Sequence, residues 1–269
     1  MIPAPFTYQR ASSVDEALDL AARGGDDAKF LAGGHSLLPL MKLRLAVPEV
    51  LIDIGRLGEL SYVREENGHI AVGALTTHHD LANSSLLGGE LPLLAHAAGQ
   101  VGDPQIRHRG TIGGSLAHAD PAADLPMALL ALGGSVDVLS RDGTRNVVAD
   151  DFFTGFFETS LAEDELIAAV RVPRRPGQGW GYQKFVRRAN DWAIVGAAAV
   201  GGRIALANMG PVPLRARAAE RALAEGVPAA EAAELAADDT EPGEDVHADR
   251  DYRRHLARIL TRRALEQRG

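Results

Sequence analysis

The chain has 269 residues, 46% of them hydrophobic, enough to bury one or two ordinary cores. It contains no cysteine, which excludes disulfides, thiolate nucleophiles, thiolate zinc sites and cysteine-ligated iron–sulfur clusters on this chain. A net charge of -8 argues against long-range attraction to nucleic acid or to an anionic membrane surface, so an anionic ligand has to be held by local donors.

No run of about eighteen apolar residues is present to span a bilayer. The opening residues lack the basic flank and apolar stretch of a secretion signal, and a cytoplasmic protein without an integral membrane segment is the expectation. Ser13 followed by Glu16 reads as a capping box, and Val14, Ala17, Leu18 and Ala21 fall at helical spacing up to Gly24-Gly25. Residues 29–32 form a short apolar run, predicted as a strand, that enters Gly33-Gly34-His35-Ser36. A short helix around Leu37 to Leu43 and a buried strand over Val50 to Ile54 complete a small α/β unit ending near Leu57.

Ile70 to Gly73 resumes the strand pattern, Thr76 to Asp80 opens a helix, and an apolar helix runs through Leu91 to Ala98. Arg107 to Asp124 is too punctuated by glycine and proline for one regular element. A helix over Leu125 to Leu132 follows, then strands at Ser135 to Leu139 and Leu166 to Val172. Arg174 to Gly179 reads as a linker, and beyond it Trp180 to Phe185, Trp192 to Val200 and Ile204 to Asn208 have strand lengths. An acidic low-complexity segment from Glu225 to Asp245 reads as partly mobile, and a final helix is predicted over Tyr252 to Gln267.

Two constellations bear on chemistry. Ala32-Gly33-Gly34-His35-Ser36 lies between a strand and a helix, where successive N–H groups can form an anion-binding nest and glycine lets a phosphate approach the backbone. Ser36 adds a hydroxyl, and His35 can shape the loop. Thr111-Ile112-Gly113-Gly114-Ser115, preceded by Arg107 and Arg109, repeats the same logic. The pair reads either as two unrelated tight turns or as a clamp on the two phosphates of a dinucleotide. Asp124 beyond the second loop suits either a ribose hydroxyl or the cap of the following helix. His78, His79 and Asp80, and His118 with Asp120, are metal-ligand types. Adjacent residues do not share a helix face, and no third ligand stands at fixed spacing, so no metal is assigned. No nucleophile elbow, Walker lysine or Rossmann fingerprint is present, and no catalytic acid or base is assigned.

With both loops in view, the chain resembles the FAD-binding medium subunits of the molybdenum hydroxylase family, of the carbon monoxide and xanthine dehydrogenase type. The likeness rests on Ala32 to Ser36 followed by residues 37–44, on Arg109 to Ser115 through residues 122–126, and on residues 163–173. Lys184 to Arg188, Asp191 to Ala193, residues 252–256 and residues 263–265 extend it. The resemblance implies an α+β fold: a FAD-binding region of two α/β subdomains, residues 1–57 and 58–173, followed by a small α+β C-terminal domain with an antiparallel sheet, residues 174–269. It implies that Ala32, Gly33, Gly34, His35 and Ser36, with Thr111, Ile112, Gly113, Gly114 and Ser115, grip the FAD pyrophosphate. It further implies that Asp124 holds the adenosine portion and that Ile167 and Lys184 touch the cofactor. The implied partners are a large molybdopterin subunit and a small iron–sulfur subunit in a dimer of heterotrimers. In that assembly this chain passes electrons from the clusters to an external acceptor. A free-standing FAD-dependent oxidoreductase and a scaffold that has lost FAD are the alternatives.

Overall fold

The structure is a computed structural model that describes residues 2–267; Met1, Arg268 and Gly269, counted in the expected subdomains, lie outside it. The first unit is a three-stranded parallel sheet in which Val50–Asp53 lies between Thr7–Arg10 and Ala28–Leu31. The capping box forms with a twist. Ser13 Oγ accepts from Glu16 N at 3.1 Å, while the Glu16 carboxylate returns to Ser12 N at 2.7 Å rather than to Ser13. Helix Val14–Gly24 lays Ala17, Leu18 and Ala21 on the sheet beside Ile52 and Ile54. Helix Leu37–Leu43 makes the crossover between the parallel strands 28–31 and 50–53. The first glycine loop therefore stands at the carboxyl end of a parallel strand, where open α/β sheets bind ligands.

The second unit is a five-stranded antiparallel sheet ordered Val63–Glu66, His69–Gly73, Leu166–Pro173, Ser135–Ser140 and Gly143–Val148. Its central strand comes last in sequence and pairs with both inner neighbours. All nine residues of helix Asp124–Leu132 are buried, because one side meets this unit and the other meets strands Val195–Val200 and Arg203–Ala207. Each fully buried leucine on it contributes on the order of 2 kcal/mol. Arg203 fastens the far end of this helix, donating through Nε and Nη2 to Leu130 O at 3.1 and 2.9 Å.

Trp180–Phe185, Val195–Val200, Arg203–Ala207 and Leu214–Arg215 form the third, antiparallel sheet, covered by helix Arg250–Gln267 through Leu256, Ala257, Leu260 and Ala264.

The helix expected over Leu91 to Ala98 is Pro92–Gly99, started by Pro92, which has no N–H to leave unpaired, and a further short helix, Ser85–Glu90, precedes it. Three expectations are corrected. Residues 107–124 are not all loop: Ile112–His118 is helical despite its glycines, capped by Thr111 Oγ1. The strand expected from Trp192 begins at Val195, leaving Trp192 exposed in the connection. The acidic segment is packed, since helix Ala229–Glu234 and the turn Leu235–Ala237 bury Ala232, Ala233, Ala236 and Ala237 against the final helix.

Candidate functional site

The two glycine loops meet. A Cβ built on Gly33 would land on the carbonyl oxygen of Arg109, with the carbonyl carbon at 2.8 Å and Gly110 Cα at 3.0 Å. Only glycine permits this approach, and Gly34 adds a left-handed φ of 81° that turns the chain into helix 37–43. The second loop reaches the first because it is stitched to the edge of the second unit. Thr77 and Thr111 form an antiparallel bridge, and His78 N donates to Gly110 O at 2.9 Å.

The loops are not equivalent nests. In the second, every N–H from Ile112 to Ser115 has an acceptor within the protein. Ile112 donates to Thr76 O at 3.1 Å, Gly113 to Ala74 O at 2.8 Å, Gly114 to Thr111 Oγ1 at 3.1 Å and Ser115 to Thr111 O at 3.0 Å. In the first, the N–H groups of Gly33, Gly34, His35 and Ser36 have no protein acceptor among the described residues. The expectation of two matching N–H cradles is corrected accordingly: the first loop presents free donors, whereas the second presents exposed Gly114 and the Ser115 hydroxyl. Unpaired N–H donors beside a shallow glycine surface suit a phosphate, which accepts and carries the opposite charge to the peptide dipoles.

Three more predicted residues lie outside the loops. Ile167 is buried on the central strand at a register shift, and the adjacent Ala168 carbonyl accepts from Ala74 N at 2.9 Å. Ala74 O in turn holds Gly113, so the strand and the second loop are coupled through one residue. Asp124, 3% exposed, does not cap its helix: Ala123 occupies the cap position, and the carboxylate reaches across to the third sheet. Its Oδ2 accepts from Lys184 Nζ at 2.9 Å, and its Oδ1 accepts from the Tyr182 hydroxyl. Lys184 also donates to Gln100 O at 3.3 Å. Asp124 and Lys184 are thus brought together as a buried pair. Burial pushes the Asp124 carboxyl up, and Lys184 and Tyr182 pull it back.

Sequence reading missed Tyr182. The signal was available, because residues two apart on a strand share a face, and Lys184 was already singled out.

The histidines divide. His35 is exposed on the first loop. His78 is buried against Gly110, its Nδ1 without a partner, and its pKa is held down to about 4 by burial, then by His35 and Arg107. His79 turns outward to stack on His108, ring centroids 3.9 Å apart, and His118 lies against Phe157 at 5.0 Å. Among the described residues no group of three His, Asp or Glu side chains converges as metal ligands would.

Against this geometry, two family profiles match the chain: the FAD binding domain in molybdopterin dehydrogenase over residues 4–175, and the CO dehydrogenase flavoprotein C-terminal domain over residues 180–268. The chain is 44% identical to the carbon monoxide dehydrogenase medium chain of Hydrogenophaga pseudoflava, covering 98% of this chain and 97% of that one. It is 40% identical to subunit alpha of the 6-hydroxypseudooxynicotine dehydrogenase complex of Paenarthrobacter nicotinovorans, with 98% and 95% covered. Its fold superposes on the solved carbon monoxide dehydrogenase of Hydrogenophaga pseudoflava lacking the Mo-pyranopterin moiety, with a TM-score of 0.95, 46% identity, and 100% and 98% of the chains covered. The chain therefore belongs to the FAD-binding medium subunits of the molybdenum hydroxylases, oxidoreductases of the carbon monoxide dehydrogenase type.

Proposed function

We propose that the FAD diphosphate is held where the loops meet, by the free N–H groups of Gly33, Gly34, His35 and Ser36 on one side and the Ser115 hydroxyl over Gly114 on the other. The direct approach of Gly33 to Arg109 and Gly110 is the observation that carries this reading. Ala32, Thr111, Ile112 and Gly113 hold the loops in shape, and Asp124, Ile167 and Lys184 bind the remainder of the cofactor. Bound FAD supplies a centre able to accept and release one or two electrons. The protein's part is to orient the cofactor and exclude water around it. The division into residues 1–57, 58–173 and 174–269 is supported by the sheets, none of which crosses a boundary: the three-stranded sheet falls in the first part, the five-stranded and a small two-stranded sheet in the second, and the four-stranded sheet in the third.

The same reading makes the chain an electron-transfer subunit between iron–sulfur clusters on a small partner and an external acceptor, with molybdopterin on a large partner. Two observations support it: the relative named as a medium chain, and the lack of any cysteine here to ligate a cluster. The two relatives belong to enzymes named for unrelated substrates, as expected when substrate is oxidised on a different chain.

Co-expression with the proposed large and small partner subunits, followed by flavin and iron counts on the purified assembly, tests the role. One FAD per copy of this chain, lost in Gly114→Asp while the assembly persists, is the expected result. Full flavin content in that variant removes the loop assignment. Substrate turnover by the chain alone favours a free-standing oxidoreductase instead.

A further inference from the structure

Asp124 sits in a place where a carboxylate is costly. It opens a helix buried along its whole length, and without partners a carboxylate there would take up a proton rather than remain charged. Two groups on one face of strand Trp180–Phe185 oppose this. Lys184 supplies charge to Oδ2 at 2.9 Å, and Tyr182 supplies a hydroxyl to Oδ1. Tyr182 is itself fixed: it is 5% exposed, its N–H donates to Gln267 Oε1 at 3.0 Å, and its ring stands edge-on to His96 at 5.0 Å. Burial and the neighbouring carboxylate push its phenol up, so the hydroxyl keeps its proton and acts as a donor.

We propose that Tyr182 is a positioning residue of the flavin site, acting through Asp124: with Lys184 it fastens both carboxylate oxygens, keeping that side chain ionised and in one orientation. The proposal rests on the assignment of Asp124 to the cofactor given above. Tyr182 does this work through its hydroxyl, since the ring alone would satisfy the packing against His96. Tyr182→Phe therefore keeps the shape and leaves Oδ1 without its donor. The titratable groups that face Asp124 are Lys184 and Tyr182 from the strand and His96 from helix Pro92–Gly99. Burial holds His96 down, so it leaves Lys184 as the cation beside the carboxylate.

The test uses the chain assembled with its partner subunits, stripped of FAD and titrated back, with binding read from quenching of flavin fluorescence between about pH 6 and about pH 8. Wild-type affinity is expected to be flat over this range. In Tyr182→Phe the Asp124 pKa rises, the neutral acid grows as pH falls, and FAD binding weakens by roughly tenfold toward the acid end while recovering at the alkaline end. Asp124→Asn is expected to bind weakly at every pH, and Tyr182→Phe added to it should change nothing further. A wild-type pH profile in Tyr182→Phe, or additive losses in the double variant, overturns the role of Tyr182. Undiminished binding in Asp124→Asn instead overturns the assignment of Asp124, so the two failures are told apart. A single cooperative melting transition retained by the flavin-free Tyr182→Phe assembly, its midpoint lowered as the loss of one donor to a buried carboxylate requires, separates positioning from loss of fold.

Discussion

Gly33→Ala adds one methyl group where the two halves of the proposed cofactor site touch. The new Cβ would fall on the Arg109 carbonyl oxygen, 2.8 Å from its carbon and 3.0 Å from Gly110 Cα. Carbon atoms reach favourable separation only at ~3.5 Å, so the loops must part by roughly 0.7 Å or more. Both surfaces are backbone, and neither can swing aside. Gly110 is pinned on its other side, its N–H donating to Ile106 O at 2.7 Å and its carbonyl accepting from His78 N at 2.9 Å. Forced overpacking of this kind costs ~1–3 kcal/mol.

If the cost is met by opening the loops, FAD affinity falls by about tenfold for each 1.4 kcal/mol, which places the variant roughly 10- to 100-fold below the parent. Titration of FAD into the stripped assembly measures this directly. Gly114→Ala is the comparison, because its Cβ meets only the Thr111 hydroxyl, a side-chain group that can turn, and otherwise faces solvent. A loss under about threefold is expected there. Gly33→Ala binding FAD within about twofold of the parent, or Gly114→Ala proving equally damaging, refutes the view that the loops are held at contact distance for the cofactor.

Acid sensitivity has an identifiable source in His78. Its folded pKa of about 4 lies below the ordinary 6.5, so the unfolded chain binds the extra proton in that window and stability falls as pH drops through it. The loss between about pH 7 and about pH 5 is about 2 kcal/mol, and His78→Gln should lack it; equal pH slopes in denaturant unfolding of the two proteins would refute this. Arg253, 3% exposed, donates to the Ile194 carbonyl and to Asp245 Oδ2 at 2.7 Å, tying residues 238–249 to the third sheet. Arg253→Met is expected to cost about 2 kcal/mol and to open a protease site within that segment, while an unchanged digestion pattern would show that the tie is idle.

Legibility in the sequence followed burial contrast. Helix Val14–Gly24 and the strand, loop and helix from Ala28 to Leu43 could be read because apolar spacing and glycine punctuation coincide there. Strands Thr7–Arg10 and Gly143–Val148 escaped notice because they are edge strands with few buried residues, so no alternation marks them. Residues 229–237 looked unstructured because their core is built from alanine alone, too weak a hydrophobic signal beside so many acids. Helix Ile112–His118 was hidden by its own glycines. It forms because Thr76, Ala74 and Thr111 accept the N–H groups of its first turn. At the site, the two loop motifs were visible in the residues, but their contact depends on the Thr77–Thr111 bridge, which pairs residues no local pattern connects. Tyr182 needed the position of Asp124 in space before its hydroxyl had a meaning.

On the proposed assignment, the unequal loops account for how a chain of net charge -8 would hold a cofactor with two phosphates. Free peptide N–H groups in the first loop offer partial positive charge that neither titrates nor needs a counterion, whereas a lysine cluster would impose its own pH dependence. The second loop, its donors already committed, acts as a stiff wall against which the first is set. These loops come from different sheets, one parallel and one antiparallel, joined at the site by the Gly33 approach. A ligand bound across them is lost when either unit opens, so its binding free energy opposes the unfolding of both. At FAD concentrations about 100 times the dissociation constant this amounts to ~2.7 kcal/mol, delivered to whichever unit is the weaker.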